Sequence, residues 1–210
     1  EEEVPGEGLR LRAFIDDDGA RESLITRFAR HAPVCRIEDD IDWMAGWRDS
    51  WPATPVGEKF FLVPVWSGEP APAGRWRLEV DPGMAFGTGS HTTTQLCLEA
   101  LERHLRAGDT VFDLGTGSGI LARGAALAGA GRIYACDIDA DSAAVAHRAC
   151  QGRAYVFAGS LRSIRPAAID LMLANINAET LSSLALEIAA TLRDGGRVIV
   201  SGFPPRHRVR

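Results

Sequence analysis

From residue 108 onward the chain alternates short apolar runs with stretches that suit helices. The runs fall at 110–114, 132–137, 154–158, 169–174 and 197–201, with helix-compatible sequence between most of them. That alternation predicts a βαβ series, hence a mostly parallel sheet with helices on both faces. In such sheets ligands bind at the carboxyl ends of the strands, where the strand order reverses. Just upstream, Thr92 to Leu105 carries apolar residues at 96, 98, 101 and 105, a helical face.

The amino-terminal third reads differently. Residues 8–14, 19–30 and 34–39 suggest strand, helix and strand, about half of a small α/β domain, taken as residues 1–40. Residues 41–57 place Trp43 and Trp47 at i and i+4 and break at Pro52 and Pro55, which predicts a short linking helix with one aromatic face. Trp43, Trp47 and Trp51 are read as packing residues rather than a substrate-gripping surface. Two further strands, 60–66 and 75–80, flank the turn-rich SGEPAPAG, and the catalytic domain is taken as residues 58–210.

Composition changes this picture little. A chain of 210 residues, 46% hydrophobic, can bury one full domain with something smaller attached. The net charge is −5 and Lys59 is the only lysine among many arginines, so no broad cationic face and no direct nucleic-acid binding are expected. Cysteines 35, 97, 136 and 150 form no CxxC pair and have no histidines at metal-ligand spacing; reduced, buried thiols of a cytoplasmic protein are expected, and no metal. No apolar run reaches the ~18 residues that would span a bilayer. The chain begins EEEV without methionine, which suggests a piece of a longer protein, and the basic end Arg206 to Arg210 reads as a solvated tail.

The chemistry gathers in two motifs, DPGMAFGTGSHTTT (Asp81 to Thr94) and DLGTGSG (Asp113 to Gly119). The second is a strand end, a glycine turn and a helix start. Glycines 115, 117 and 119 permit positive φ and close approach of a ligand. Asp113 precedes the first glycine by two residues, where a pyrophosphate would meet a negative charge, and the GxGxG spacing departs from the dinucleotide fingerprint GxGxxG. Asp137, ending the next apolar run, is placed to accept hydrogen bonds from both hydroxyls of a ribose. Together the two carboxylates favour a cationic nucleoside, S-adenosyl-L-methionine. The alternative is that Asp113 and Asp137 cap the helices that follow them.

Three motifs, FGTGSHTTT (Phe86 to Thr94), DLGTGSGIL (Asp113 to Leu121) and LANINAETL (Leu173 to Leu181), resemble those of the bacterial ribosomal protein L-eleven methyltransferase family; DWMAGWRDSW and FFLVPVW are also similar. The resemblance runs from about Ile41 to Phe203. It implies a class I, Rossmann-like methyltransferase domain of seven strands behind a ferredoxin-like substrate-recognition domain. It also implies transfer of methyl groups from S-adenosyl-L-methionine to lysine side chains and the α-amino group of a large-subunit ribosomal protein at the stalk base. Carried over, cofactor contacts fall on Thr94, Gly115, Asp137 and Asn175, with Phe86, Gly87 and Thr88 in a loop that closes over the ligand. Asp113 and Gly117 join them from the glycine turn.

The chain departs from the family in three ways. Only half of the amino-terminal domain is evident; the final strands of the sheet are missing, so a five-stranded core would expose an apolar edge; and Asn177 stands where an apolar residue is usual, adding a polar group beside the site. Methyl transfer to an amine requires alignment and exclusion of water more than a covalent nucleophile. Asn175 is therefore expected to be the catalytic residue by orienting the amine. His91 reads as a structural histidine before a general base, and Thr92 as the helix cap. A methyltransferase of another protein or small amine, or a shortened homologue without activity, are the alternatives.

Overall fold

A computed structural model describes residues 2–4, 8–10, 18–35, 51–81 and 91–202. The chain divides into two compact units, Glu1–Trp43 and Met44–Arg210. In the first, β1 (Glu2–Val4) pairs antiparallel with β2 (Gly8–Arg10), and α1 (Asp18–Arg27) follows. The run Glu2–Val4 is too short and too acidic to announce a strand; pairing with Gly8–Arg10 makes it one. Helix α1 sets Leu24 and Ile25 among polar residues and has no distinct apolar stripe. A 3₁₀ turn, Ala29–His31, ends on Ala32 at φ 47°. The expected strand at 34–39 is not formed at its start, where residues 34 and 35 are irregular, and the rest of it lies outside the described residues, as does the linking helix with Trp43 and Trp47.

The second unit opens with a three-stranded sheet, β3 (Thr54–Val56), β4 (Phe60–Pro64) and β5 (Trp76–Val80). Strand β4 is apolar and buried throughout, and it pairs antiparallel with β3 but parallel with β5. Strand β3 escapes a reading of apolar runs because TPV has a single residue, Val56, that is fully buried. Glu102 ties this sheet to the next helix, α2 (Thr92–His104): its carboxylate accepts the backbone N–H groups of Glu58, Lys59 and Phe60 at 3.0, 2.8 and 3.1 Å. Gly57 lies beneath it at φ +56°, where a Cβ would meet the Glu102 carboxylate at 2.4 Å. Glu102→Ala is expected to destabilise the fold by roughly 2 kcal/mol, since three charge-assisted bonds are lost but two of the donors reach water. Urea unfolding measures it.

The main sheet comprises β6 (Thr110–Leu114), β7 (Arg132–Asp137), β8 (Tyr155–Ala158), β9 (Ile169–Asn175) and β10 (Leu192–Ser201). Every pairing is parallel, in the spatial order β10-β9-β6-β7-β8. The order therefore runs outward from β6 in one direction through β7 and β8 and in the other through β9 and β10, and it reverses between β6 and β9. Alternating side chains along the strands build two cores. Val111, Leu171 and Leu173 pack with Cys97, Leu98 and Leu101 of α2 and with α3 (Ile120–Leu127), while Phe112, Met172 and Ala174 pack on the other face with Leu161 and with Ile188 of α5 (Ala178–Thr191). A further helix, α4 (Ala140–Cys150), joins β7 to β8 and adds Cys150 to the first core.

Three expectations need correction. Leu96 is 53% exposed, and the buried stripe of α2 is Thr94, Cys97, Leu98 and Leu101, a threonine and a cysteine replacing leucine at the inward positions. Cys97, Cys136 and Cys150 are buried free thiols, but Cys35 is exposed. Strand β10 starts at Leu192, before the expected 197, with a register irregularity between Leu192 and Arg197 around the Gly195–Gly196 pair. Along this strand Val198 and Val200 are 41% and 43% exposed. No described helix is long and apolar enough to cross a membrane.

Candidate cofactor site

The carboxyl ends of β6, β7 and β9 meet where the strand order reverses, and the predicted site residues of the described chain stand there. The turn after β6 is left-handed at Gly115, Gly117 and Gly119, with φ of 71°, 53° and 77°. Its amides at Gly115 and Thr116 donate to the Cys136 carbonyl of β7, both at 2.9 Å, which pins the turn to the neighbouring strand. A Cβ at Gly115 would lie 2.5 Å from the Ile176 side chain, and one at Gly119 would lie 3.2 Å from Ala146 and Cys150. The first glycine thus lets the turn pass under the end of β9. The third lets α3 close on α4.

The two carboxylates, equivalent in the sequence, separate in three dimensions. Asp113 shares the strand face of Val111 and is 1% exposed. Its Oδ2 accepts from the Thr116 hydroxyl at 2.7 Å and from the Ala122 amide at 3.1 Å. Ala122 is in the first turn of α3, whose N-cap, Gly119, has no side chain to offer, so Asp113 caps the helix from the preceding strand. Burial pushes the Asp113 carboxyl up to about 6, against the lowering effect of the Thr116 and Ala122 bonds, and nearby Asp137 raises it further.

The folded state therefore holds this proton more tightly than the unfolded chain. Its contribution to stability is present below about pH 4 and is lost as pH rises to about 6. The difference in unfolding free energy between wild type and Asp113→Asn is expected to move against wild type by roughly 2 kcal/mol between pH 4 and pH 7. Urea titrations at the two pH values measure it, and a difference independent of pH counts against this account.

Asp137, at the end of β7, is only partly buried. Its Oδ2 accepts from the Gly117 amide at 3.0 Å and its Oδ1 from the Asp139 amide at 3.1 Å. It spans the glycine turn and the next turn but does not cap α4. Asp139 does that, accepting from Asp141 and Ser142, and the Ser142 hydroxyl bond holds its carboxyl below the usual range. Immediately after Asp137 comes Ile138, 87% exposed, an apolar side chain beside a carboxylate at the mouth of the site. Its sequence signal is an isoleucine between two aspartates just past a strand.

Asn175 ends β9, and its side-chain amide donates to the Thr94 hydroxyl at 3.3 Å across 81 residues of sequence. Thr94 is 1% exposed, in the first turn of α2. Thr92 is not the cap of that helix. His91 is: Nδ1 accepts the Thr93 amide at 3.3 Å and lies 2.7 Å from the Thr93 hydroxyl, an arrangement that commits the ring nitrogen to the helix start. Asn177 likewise caps α5, accepting from Thr180 at 2.8 Å, which accounts for a polar residue at that position. Phe86, Gly87 and Thr88 lie outside the described residues. Among the described residues no group of His, Cys, Asp and Glu is arranged to hold a metal ion.

An order that reverses beside an enclosed aspartate and a left-handed glycine turn, with a second carboxylate one strand away, defines a class I S-adenosyl-L-methionine-dependent methyltransferase. Residues 8–206 match the family model for ribosomal protein L11 methyltransferase, and the chain belongs to that family. It is 40% identical to the ribosomal protein L11 methyltransferase of Geobacter metallireducens, over 96% of this chain and 72% of that protein. The protein of that name from Cupriavidus metallidurans is 42% identical, over 94% and 67%. The crystal structure of ribosomal protein L11 methylase from Lactobacillus delbrueckii subsp. bulgaricus superposes with a TM-score of 0.65 at 35% identity, covering 73% of this chain and 81% of that one.

Proposed function

We propose that this chain methylates amino groups of ribosomal protein L11, lysine side chains and the α-amino group, in the cytoplasm, and that Asn175 orients the accepting amine. The observation carrying the proposal is the Asn175–Thr94 contact beside the glycine turn. With its amide nitrogen turned to Thr94, Asn175 keeps its side-chain oxygen as an acceptor for an amine N–H. An amine held by its hydrogen has its lone pair directed elsewhere, as in-line attack demands.

The residues present suit the cofactor. Gly115 and Gly117 hold the turn in its left-handed course beside the site, and the partly exposed Asp137 carboxylate keeps acceptor capacity for ribose hydroxyls. Ile138 offers an apolar face to the base, and Phe86, Gly87 and Thr88 are assigned to closing the site. Asp113, being enclosed, would act by its negative charge rather than by contact. When bound, S-adenosyl-L-methionine supplies a methyl group on a cationic sulfur.

A lysine must lose its proton before it can attack, at a cost of roughly 4–5 kcal/mol at neutral pH, part of which desolvation supplies. Asn175 orients the neutral amine and does not remove the proton. Residues 58–210 are assigned to catalysis, 1–40 to recognition of the ribosomal protein and 41–57 to the link between them. Incubating the chain with unmethylated L11 and S-adenosyl-L-methionine and weighing the product by mass spectrometry tests the proposal: mass gains in multiples of one methyl group are expected, and an unchanged mass would overturn it.

A further inference from the structure

The opposite, amino-terminal end of the main sheet carries a cavity. A pocket of about 370 Å³ opens there, lined by Thr110, Arg132, Tyr134, Arg165, Ala167 and Arg193 among others. Thr110 and Arg132 begin β6 and β7, whereas the cofactor residues follow the other ends of the same strands, roughly 15 Å away at the usual rise per residue. The volume falls in the range of roughly 300–1,000 Å³ typical of small-molecule sites.

Three arginines from three separate segments converge on this pocket, in a chain whose net charge is −5. One is already engaged: Arg193 meets both oxygens of Asp170 at 2.9 Å, and Asp170 also accepts the Thr110 amide at 2.8 Å. Partial burial works to raise the Asp170 carboxyl, but the Thr110 and Arg193 bonds outweigh it and hold it low, so Asp170 stays charged and offsets Arg193. Among the described residues, the Arg132 and Arg165 guanidinium groups have neither a hydrogen bond nor an ion pair. Beside them, the Tyr134 ring stacks on Tyr155, centroids 5.5 Å apart and planes 27° from parallel, and Tyr155 is 69% exposed. The pocket wall turns at Ala167, which adopts φ 49° without being glycine.

We propose that this pocket binds a phosphate ester of nucleotide size, with Arg132 and Arg165 on the phosphate and the Tyr134–Tyr155 stack against the base. Two arginine forks left free on the rim of one cavity match the oxygens of a phosphate, and stacked aromatic rings beside them extend recognition to a planar base. The test titrates uridine 5′-monophosphate, ribose 5-phosphate and uridine, by calorimetry, into the full chain saturated with S-adenosyl-L-homocysteine, so that the cofactor site is closed to nucleotides. The nucleotide is expected to bind, more weakly as salt is raised; ribose 5-phosphate is expected to bind less tightly, and uridine not to bind.

R132A/R165A should weaken the nucleotide at least ten-fold. Both side chains are exposed, and the Arg193–Asp170 pair is left intact, so the thermal midpoint of the variant should match wild type. Failure of wild type to bind the nucleotide at millimolar concentration, equal binding of uridine, or full affinity in the variant would each overturn the site. Ribose 5-phosphate binding as tightly as the nucleotide would overturn the aromatic part.

Discussion

Asp137→Ala is expected to abolish measurable binding of S-adenosyl-L-methionine while the protein remains folded. In the proposed complex the carboxylate takes both ribose hydroxyls, and each charge-assisted bond of this kind is worth roughly 1.5–3 kcal/mol, so losing both weakens affinity by about 100-fold or more. The variant also releases the Gly117 and Asp139 amides, which Asp137 holds at 3.0 and 3.1 Å, and so loosens the glycine turn itself. Asp137→Asn separates the two effects: it keeps an acceptor for one amide but loses the charge, and should fall between wild type and alanine. Calorimetric titration with S-adenosyl-L-homocysteine reads all three proteins. Equal affinity in wild type and Asp137→Ala would remove the ribose assignment.

Asn175→Ala should have the opposite signature. Turnover is expected to fall by roughly 100-fold or more, the scale on which misorientation of a reacting group acts, while cofactor affinity changes only a few-fold. Thr94→Val deletes the hydroxyl that the Asn175 amide meets at 3.3 Å and leaves the volume nearly unchanged. Its effect should be smaller, about ten-fold on turnover, because Asn175 is still present but free to rotate. Single-turnover kinetics on ribosomal protein L11 with saturating cofactor resolve the rate from the affinity. If Asn175→Ala and Thr94→Val lose cofactor binding in proportion to rate, Asn175 holds the cofactor and does not orient the amine.

How far the site could be read from the chain varies residue by residue. The glycine turn was legible because its requirement is local: Gly115, Gly117 and Gly119 adopt φ values that a side chain would resist, wherever the strand is placed. Asp113 and Asp137 were legible as positions but not as roles. Each ends or nearly ends an apolar run, yet one turns inward to cap α3 and the other spans two turns at the surface. The capping roles of His91 and Asn177 were not legible, and Thr92 was read as a cap it does not provide, for a similar reason. A cap is decided by which residue takes the extended backbone just before the helix, and three neighbouring polar residues at 91–93 compete for it.

The same division holds for the fold. The five strands of the main sheet and the helices between them follow from the spacing of apolar residues, since periods of 2 and 3.6 are properties of the chain's own geometry. Strands Glu2–Val4 and Thr54–Val56 depend instead on partners, Gly8–Arg10 and Phe60–Leu62, because three residues have too little apolar surface to define a strand alone. On α2, Leu96 loses its expected place in the core to Thr94 and Cys97, since the sheet covers one stripe of the helix and the sequence alone leaves its orientation open by a residue.

The amino-acid sequence by itself thus determined the elements of the catalytic unit, the left-handed turn and the family to which the chain belongs, all encoded in local spacing and residue type. Only the tertiary structure decided that the strand order reverses beside Gly115, that Asp113 is enclosed while Asp137 is not, and that Asn175 meets Thr94. Those outcomes join residues up to 81 positions apart, and such pairings are selected by the packing of two cores against one sheet, a sum over many contacts that no local pattern contains.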